Sequence, residues 1–337
     1  MRAVYEKVQG YTKFGMVVVI LVPSLISSAG QDLGKKNLPR LTGAALLEGY
    51  PPGTLMVTTG DATLELQTGG GDWCVMPSMS ANGNLIASAR YADLASNVSR
   101  AIPMLTVGIY SMIDKRWRDY PSLETQGGSI AISADGSKLA YVTRSTAPAQ
   151  PHIQFMDLAT GAVSIGPETT RLDGHISWSP DGRRITFDRE TEVERSVNGK
   201  PISPPTAIFV FDVETGTVSK IADGMSPTWS PSGEWIAFYD YWPDRDNVKK
   251  GWYPANDNHV SVIHPDGTGH KVLVTFRPDE SLSVPSVWSP DSQSILINKP
   301  HDPDKGTMDI FFLDITTQKL TRKFGNVPPI YAWVVAK

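Results

Sequence analysis

Six histidines, at positions 152, 175, 259, 264, 270 and 301, are the groups in this 337-residue chain best suited to acid–base or zinc chemistry. None stands in the His-x-x-x-His or His-Glu-x-x-His spacing that sets two imidazoles on one helix face around zinc. Oxygen ligands for a hard cation occur as Asp240, Asp244, Asp246 and Asp257, and again as Asp302, Asp304 and Asp309. No Asp-x-Asp-x-Asp-Gly loop with a closing Glu gathers them, so they read as solvated surface charge. The Gly-x-Ser-x-Gly elbow of a serine hydrolase is absent, as are the glycine-rich loops that cradle phosphates or dinucleotides. These observations assign no catalytic residue, no metal ligand and no cofactor. Cys74 is the single cysteine, which excludes an intramolecular disulfide and reads as a small buried hydrophobe.

Binding chemistry is better represented. Tyr241, Trp242, Arg245, Trp252 and Tyr253 fall in one stretch with Asp244, Asp246, Lys249 and Lys250. Trp, Tyr and Arg dominate binding hot spots, so this stretch is expected to receive a partner or a sugar-like ligand. The competing expectation is that Trp242 and Trp252 fold back and plug the loop's own small core. Glu192 and Arg195, with Glu194, form the next candidate cluster.

The elements that position these residues are written in a phrase that returns five times. It is clearest as Trp178-Ser179-Pro180-Asp181-Gly182, and recurs at Trp229–Gly233 and Trp288–Ser292. Weaker copies are Ile132–Gly136 and Met79–Gly83. Its serines, at 80, 133, 179, 230 and 289, define a repeat of about 50 residues. Pro presets φ, Asp bonds nearby N–H groups and Gly accepts positive φ, so the phrase is a tight hairpin turn. A second hairpin follows each first one, as in Ile208–Asp212 with a turn at Thr215-Gly216. Two hairpins make a four-stranded antiparallel blade, and the fold is all-β, a β-propeller. The Trp residues of the phrase are expected in the core near blade interfaces.

An extra second hairpin appears early, at 55–66, and one lone strand ends the chain, at 330–335. Pairing of these termini closes a ring of six blades and removes the exposed edges of a linear array. On this count the sixth blade lacks its second strand. The propeller is expected over 48–337, preceded by an N-terminal segment at 30–47. Tight turns fall on one face of the ring. Long links between second and third strands fall on the other, including 241–258 in the fourth blade and 189–206 in the third. Loops on a rigid scaffold carry function, so the link face is the expected working face. His175 enters an innermost strand beside the central channel and joins the candidate binding residues, with structural hydrogen bonding expected ahead of catalysis.

The phrase and its following hairpin resemble the TolB-type propeller repeat, a relative of WD repeats. The resemblance covers about 280 residues, and Gly306, Asp309, Ile310 and Phe311 match its step into the third strand. It implies a binding or scaffold module of the cell envelope with a macromolecular partner. The alternative is a small propeller enzyme acting on a carbohydrate or peptide at the channel mouth.

Residues 1–29 do not fit the repeat. Arg2, Lys7 and Lys13 precede the apolar run 15–26, and Ser27-Ser28-Ala29 offers a cleavage site. That is the layout of a signal peptide, so the protein is expected to be exported, to the periplasm or outside the cell. Membrane contact would come only through an uncleaved anchor. A net charge of −4 with acidic and basic residues mixed along the chain lacks the basic footprint of nucleic-acid binding.

Overall fold

Each copy of the repeat phrase folds as the turn its residues demand. In the computed structural model, which describes residues 41–48, 55–59, 62–66, 73–91, 105–143, 151–168, 175–191, 195–197, 200–202, 206–243, 255–277, 283–302 and 307–335, the phrase serine is the organiser. Its hydroxyl donates to the turn carboxylate, 2.6 Å from Ser289 to Asp291, and accepts the N–H five residues on, 2.9 Å from Ser294. All five phrase serines are buried. Gly182 takes φ +66°, a conformation that costs a side-chain-bearing residue about 1–2 kcal/mol. The fifth copy nevertheless puts Ser292 at φ 61°. Its hydroxyl accepts the N–H of Ser232 at 2.9 Å, a bond from blade to blade that offsets the strain.

Six four-stranded antiparallel blades result. Blade III is ordered Ser177–Trp178, Arg184–Glu190, Thr206–Asp212, Val218–Asp223 from the inside out. Blade IV runs Met225–Trp229, Ile236–Pro243, Ala255–Ile263, Lys271–Phe276, and blade V runs Ser283–Trp288, Ser294–Asp302, Thr307–Asp314, Leu320–Val327. Blades I and II are joined into one seven-stranded sheet. Arg116–Ile132 pairs with Leu105–Ser111 by its first half and with Lys138–Thr143 by its second, so it is the outer strand of one blade and the inner strand of the next.

Second strands are apolar on both faces because every blade is sandwiched between neighbours. Ile236, Ala237 and Phe238 are all fully buried, and Ile295, Leu296 and Ile297 nearly so. The core is a series of inter-blade layers. One joins Phe155 of blade II to Trp178, Phe187 and Phe211 of blade III. The phrase tryptophans lie in these layers as expected, and Trp178 and Trp288 donate their indole N–H to Ala131 and Thr228 of the preceding blade, each at 3.0 Å.

Ring closure pairs the two ends of the chain, with one correction. The sixth blade does not lack a strand. Ala44–Glu48 lies between Ile330–Val334 and Leu55–Thr59, bonded to both, and Ala62–Leu66 completes the sheet. Its Leu46 and Leu47 are fully buried, one in the layer toward blade I and the other in the layer toward blade V.

The turn carboxylates make the tight-turn face sensitive to acid. Asp157, Asp212 and Asp314 accept N–H groups from the threonine three residues on, at 2.7–2.8 Å. That backbone bond is the first cause holding each carboxyl below its ordinary range. For Asp291 the first cause is the Ser289 hydroxyl. The unfolded chain therefore takes up these protons first, near pH 4. The stabilisation is complete above that pH and is lost as pH falls through the lower folded-state values. The melting temperature should be flat with respect to these groups above about pH 5 and fall below about pH 4. Asp212→Asn with Asp314→Asn should flatten that acid slope.

Candidate functional site

Antiparallel order places the start of every inner strand, and every second-to-third link, at the same end of the channel. His175 sits there, ahead of Ser177–Trp178, with its side chain 13% exposed. Its Nδ1 lies 3.0 Å from Oδ2 of Asp188 and 3.3 Å from Oγ of Ser226. A serine relay needs the carboxylate and the hydroxyl on opposite ring nitrogens. Here both face Nδ1, so this His–Asp–Ser group is not a nucleophilic triad.

Asp188 explains the arrangement. It is buried, and accepts the backbone N–H of His175 at 3.0 Å and that of Ser226, in the next blade, at 2.7 Å. Asn298 stands at the equivalent place, three residues after the first residue of its second strand's apolar run, and does the same work. Its Oδ1 accepts the N–H of Ile330 and its Nδ2 donates to the Ile330 carbonyl, both at 2.9 Å. Both side chains staple one blade to the start of the next inner strand. His175 is held within this hydrogen-bonded group by Asp188 and Ser226.

The link of blade IV begins as a ribbon. Its strands continue past the core with Tyr241 opposite Asn258 and Pro243 opposite Ala255, which puts Tyr241 and Trp242 on paired backbone at the link face. Arg245, Trp252 and Tyr253 lie outside the described residues, as does Glu192. Arg195 belongs to a small ribbon, Arg195–Val197 paired with Lys200–Ile202, in the third-blade link. The two links therefore project from the same end of the ring, and both carry paired strands.

Two further polar groups are assembled by the sheet. Asp309 accepts from His301 Nδ1 at 2.9 Å and from Arg322 Nη2 at 2.7 Å, in the outer half of blade V. Its pKa is lowered although burial pushes it up, because the Arg322 and Asn326 hydrogen bonds and the Arg322 charge outweigh burial. In blade I, Arg90 reaches across the third strand to pair with Asp119 and lies over the Trp117 ring at 4.4 Å. Gly108 permits this, since a Cβ there would lie 2.5 Å from Arg90 Cδ. Position in the sheet, rather than motif, makes both groups. Among the described residues no cluster of three His, Cys, Asp or Glu is placed to hold a metal ion. Among them also, no helix is long and apolar enough to cross a membrane.

On the tight-turn face an open recess lies between blades III and IV. Arg184 lines it from one side, and Glu234, His264, Asp266 and Thr268 from the other.

No family model matches the sequence, and no curated protein matches it. Solved structures do match in shape. TolB from Acinetobacter baumannii is 17% identical, with a TM-score of 0.59 over 86% of this chain. The chain spans 66% of that protein, just under two thirds of its length. The β-propeller domain of the Trilobed protease from Pyrococcus furiosus is 15% identical, with a TM-score of 0.53 over 85% of this chain and 82% of that one. An oligogalacturonate lyase from Vibrio parahaemolyticus is 13% identical, with a TM-score of 0.51 over 85% and 73%. TolB, a domain of a protease and a lyase share this shape, so what the likeness establishes is a TolB-like propeller fold.

Proposed function

We propose that this chain is an exported propeller, periplasmic or extracellular, whose link face binds a macromolecular partner of the cell envelope. The observation that carries the reading is the division of labour between the two faces. On the tight-turn face the phrase and hairpin turns are closed by their own Ser, Asp and Thr side chains. The opposite face carries the long links, and that of blade IV joins two tryptophans, two tyrosines and an arginine to a paired ribbon. Likeness to TolB in shape supports the scaffold part of the reading. The enzyme alternative keeps one observation in its favour, the His301–Asp309–Arg322 group, which sits in the outer half of its blade rather than at the channel.

The test is a pull-down from the native envelope fraction, with Trp242→Ala plus Trp252→Ala as the comparison. Each aromatic acting as a hot spot contributes on the order of 2 kcal/mol, about thirtyfold in affinity. The double variant should therefore lose the partner while its melting temperature holds. Normal capture by a normally folded variant moves the site away from this link. A lowered melting temperature with new protease sensitivity in 240–259 assigns the two tryptophans to anchoring their own loop. Recovery of the native protein only from the cytoplasm, with Met1 intact, overturns the export half of the reading.

A further inference from the structure

The tight-turn end of blade IV departs from its neighbours at three positions. In blades II, III and V the first turn carries an aspartate, Asp135, Asp181 or Asp291, and the second turn opens with another, Asp157, Asp212 or Asp314. Blade IV has Ser232 and His264 at these places. It also has Trp235 where blades II and III have the cations Lys138 and Arg184. Two carboxylates and a cation give way to a stacked indole and imidazole with centroids 3.8 Å apart.

The imidazole is held on every side. Gly269 lies so close that a Cβ there would be 2.4 Å from His264 Cδ2. Nδ1 of His264 is 3.0 Å from the Glu234 carbonyl. A carbonyl only accepts, so Nδ1 carries the hydrogen, and the neutral ring keeps its lone pair on Nε2.

Opposite charges line this recess without meeting. The Arg184 guanidinium lies over the Trp229 ring at 5.0 Å. Among the described residues no hydrogen bond or ion pair joins it to Glu234, although its charge helps hold the carboxyls of Asp181 and Asp212 below their ordinary range. Asp266 adds a second carboxylate beside Glu234, with Oδ1 already taken by the Thr268 N–H and hydroxyl at 2.9 and 2.7 Å. An anion alone would meet Arg184 and be repelled by two carboxylates. A cation alone would meet the carboxylates and be repelled by Arg184. A ligand carrying both charges gains from both walls. The recess is open to solvent, with about 490 Å³ of space between its walls.

We propose that this recess binds a small zwitterion of the amino-acid or short-peptide class. Arg184 takes the carboxylate, Glu234 takes the ammonium, and Nε2 of His264 accepts a further N–H. The site lies on the face opposite the partner-binding links and stands or falls separately from them.

The experiment titrates the full chain with glycylglycine, glycylglycinamide and N-acetylglycylglycine to about 50 mM, above the millimolar affinity so few contacts support. Binding is read from the Trp235 indole N–H and the His264 ring by NMR. Glycylglycine should shift both, and each capped form should bind at least about tenfold more weakly, as expected when one charge pair is lost. In Arg184→Gln the preference over the amide should vanish. In Glu234→Gln the preference over the acetylated form should vanish. If Arg184→Gln melts lower than the parent, Arg184→Lys replaces it and should keep the preference for a free carboxylate. Equal response to all three probes, no response to any, or preferences unchanged in the variants would overturn the proposal.

Discussion

Removal of residues 329–337 is expected to unfold the protein or drive it into aggregates, rather than shift its melting point by a few degrees. The lost strand is the inner strand of blade VI. Its Ile330 is fully buried, and burial of such a side chain stabilises by about 1.5–3 kcal/mol. Without it, Asn298 keeps a buried amide with both Ile330 bonds unmade, at a cost of about 1–3 kcal/mol. The Thr42 carbonyl also loses the Trp333 indole N–H, 2.6 Å away. These losses together reach the lower end of the stability of a typical domain, about 5–15 kcal/mol. They also leave one edge of Ala44–Glu48 unpaired, a template for intermolecular pairing. Thermal melting with light scattering checks the expectation. A truncated chain that melts like the parent and stays monomeric would end the closure argument.

Asp188→Ala should destabilise by about 3–5 kcal/mol, the cost of taking one partner out of a buried charged network. The carboxylate serves two backbone N–H groups and one imidazole, and alanine leaves all three buried without it. Asp188→Asn is the informative companion. Asparagine keeps one acceptor oxygen, and Asn298 shows that an amide can hold the next inner strand from this position. It should recover most of the loss, leaving about 1 kcal/mol. The effect should appear as earlier melting with faster hydrogen exchange at 225–229. Equal destabilisation by both variants would argue for the charge rather than the staple. No destabilisation by alanine would remove the staple altogether.

Most of the fold is legible in the chain because each blade repeats the same turn chemistry. The phrase with Trp, Ser, Pro and Asp needs only its own residues to close, so it announces itself. Ala44–Glu48 escaped for the opposite reason. Ala-Ala-Leu-Leu-Glu is rich in helix formers and lacks the repeat phrase, and burial between two strands makes it extended. The join between blades I and II escaped too, because Pro121 and the Gly127-Gly128 pair within Arg116–Ile132 read as breaks in a strand. At the candidate site, His175 drew notice as a chemical residue while its holder did not. Asp188 and Asn298 could have been found as the polar residues that interrupt otherwise apolar second strands, at the same offset from Ile185 and Ile295. The aromatic link of blade IV was legible as composition. The positions of Arg245, Trp252 and Tyr253 fall outside the described residues, so what those side chains do rests on the binding experiment.

The strand shared by blades I and II bears on how the ring comes apart. A propeller is a circular array, and such arrays lose their units one at a time where neighbouring units couple weakly. Here an unbroken 17-residue strand runs through that seam. The two blades share one strand, with Thr125 paired to both sides, so they are expected to unfold as a single cooperative unit. Opening is therefore directed elsewhere, toward the seam of blade VI where strands from the two ends of the chain meet through pairing and packing, with no continuous strand joining them.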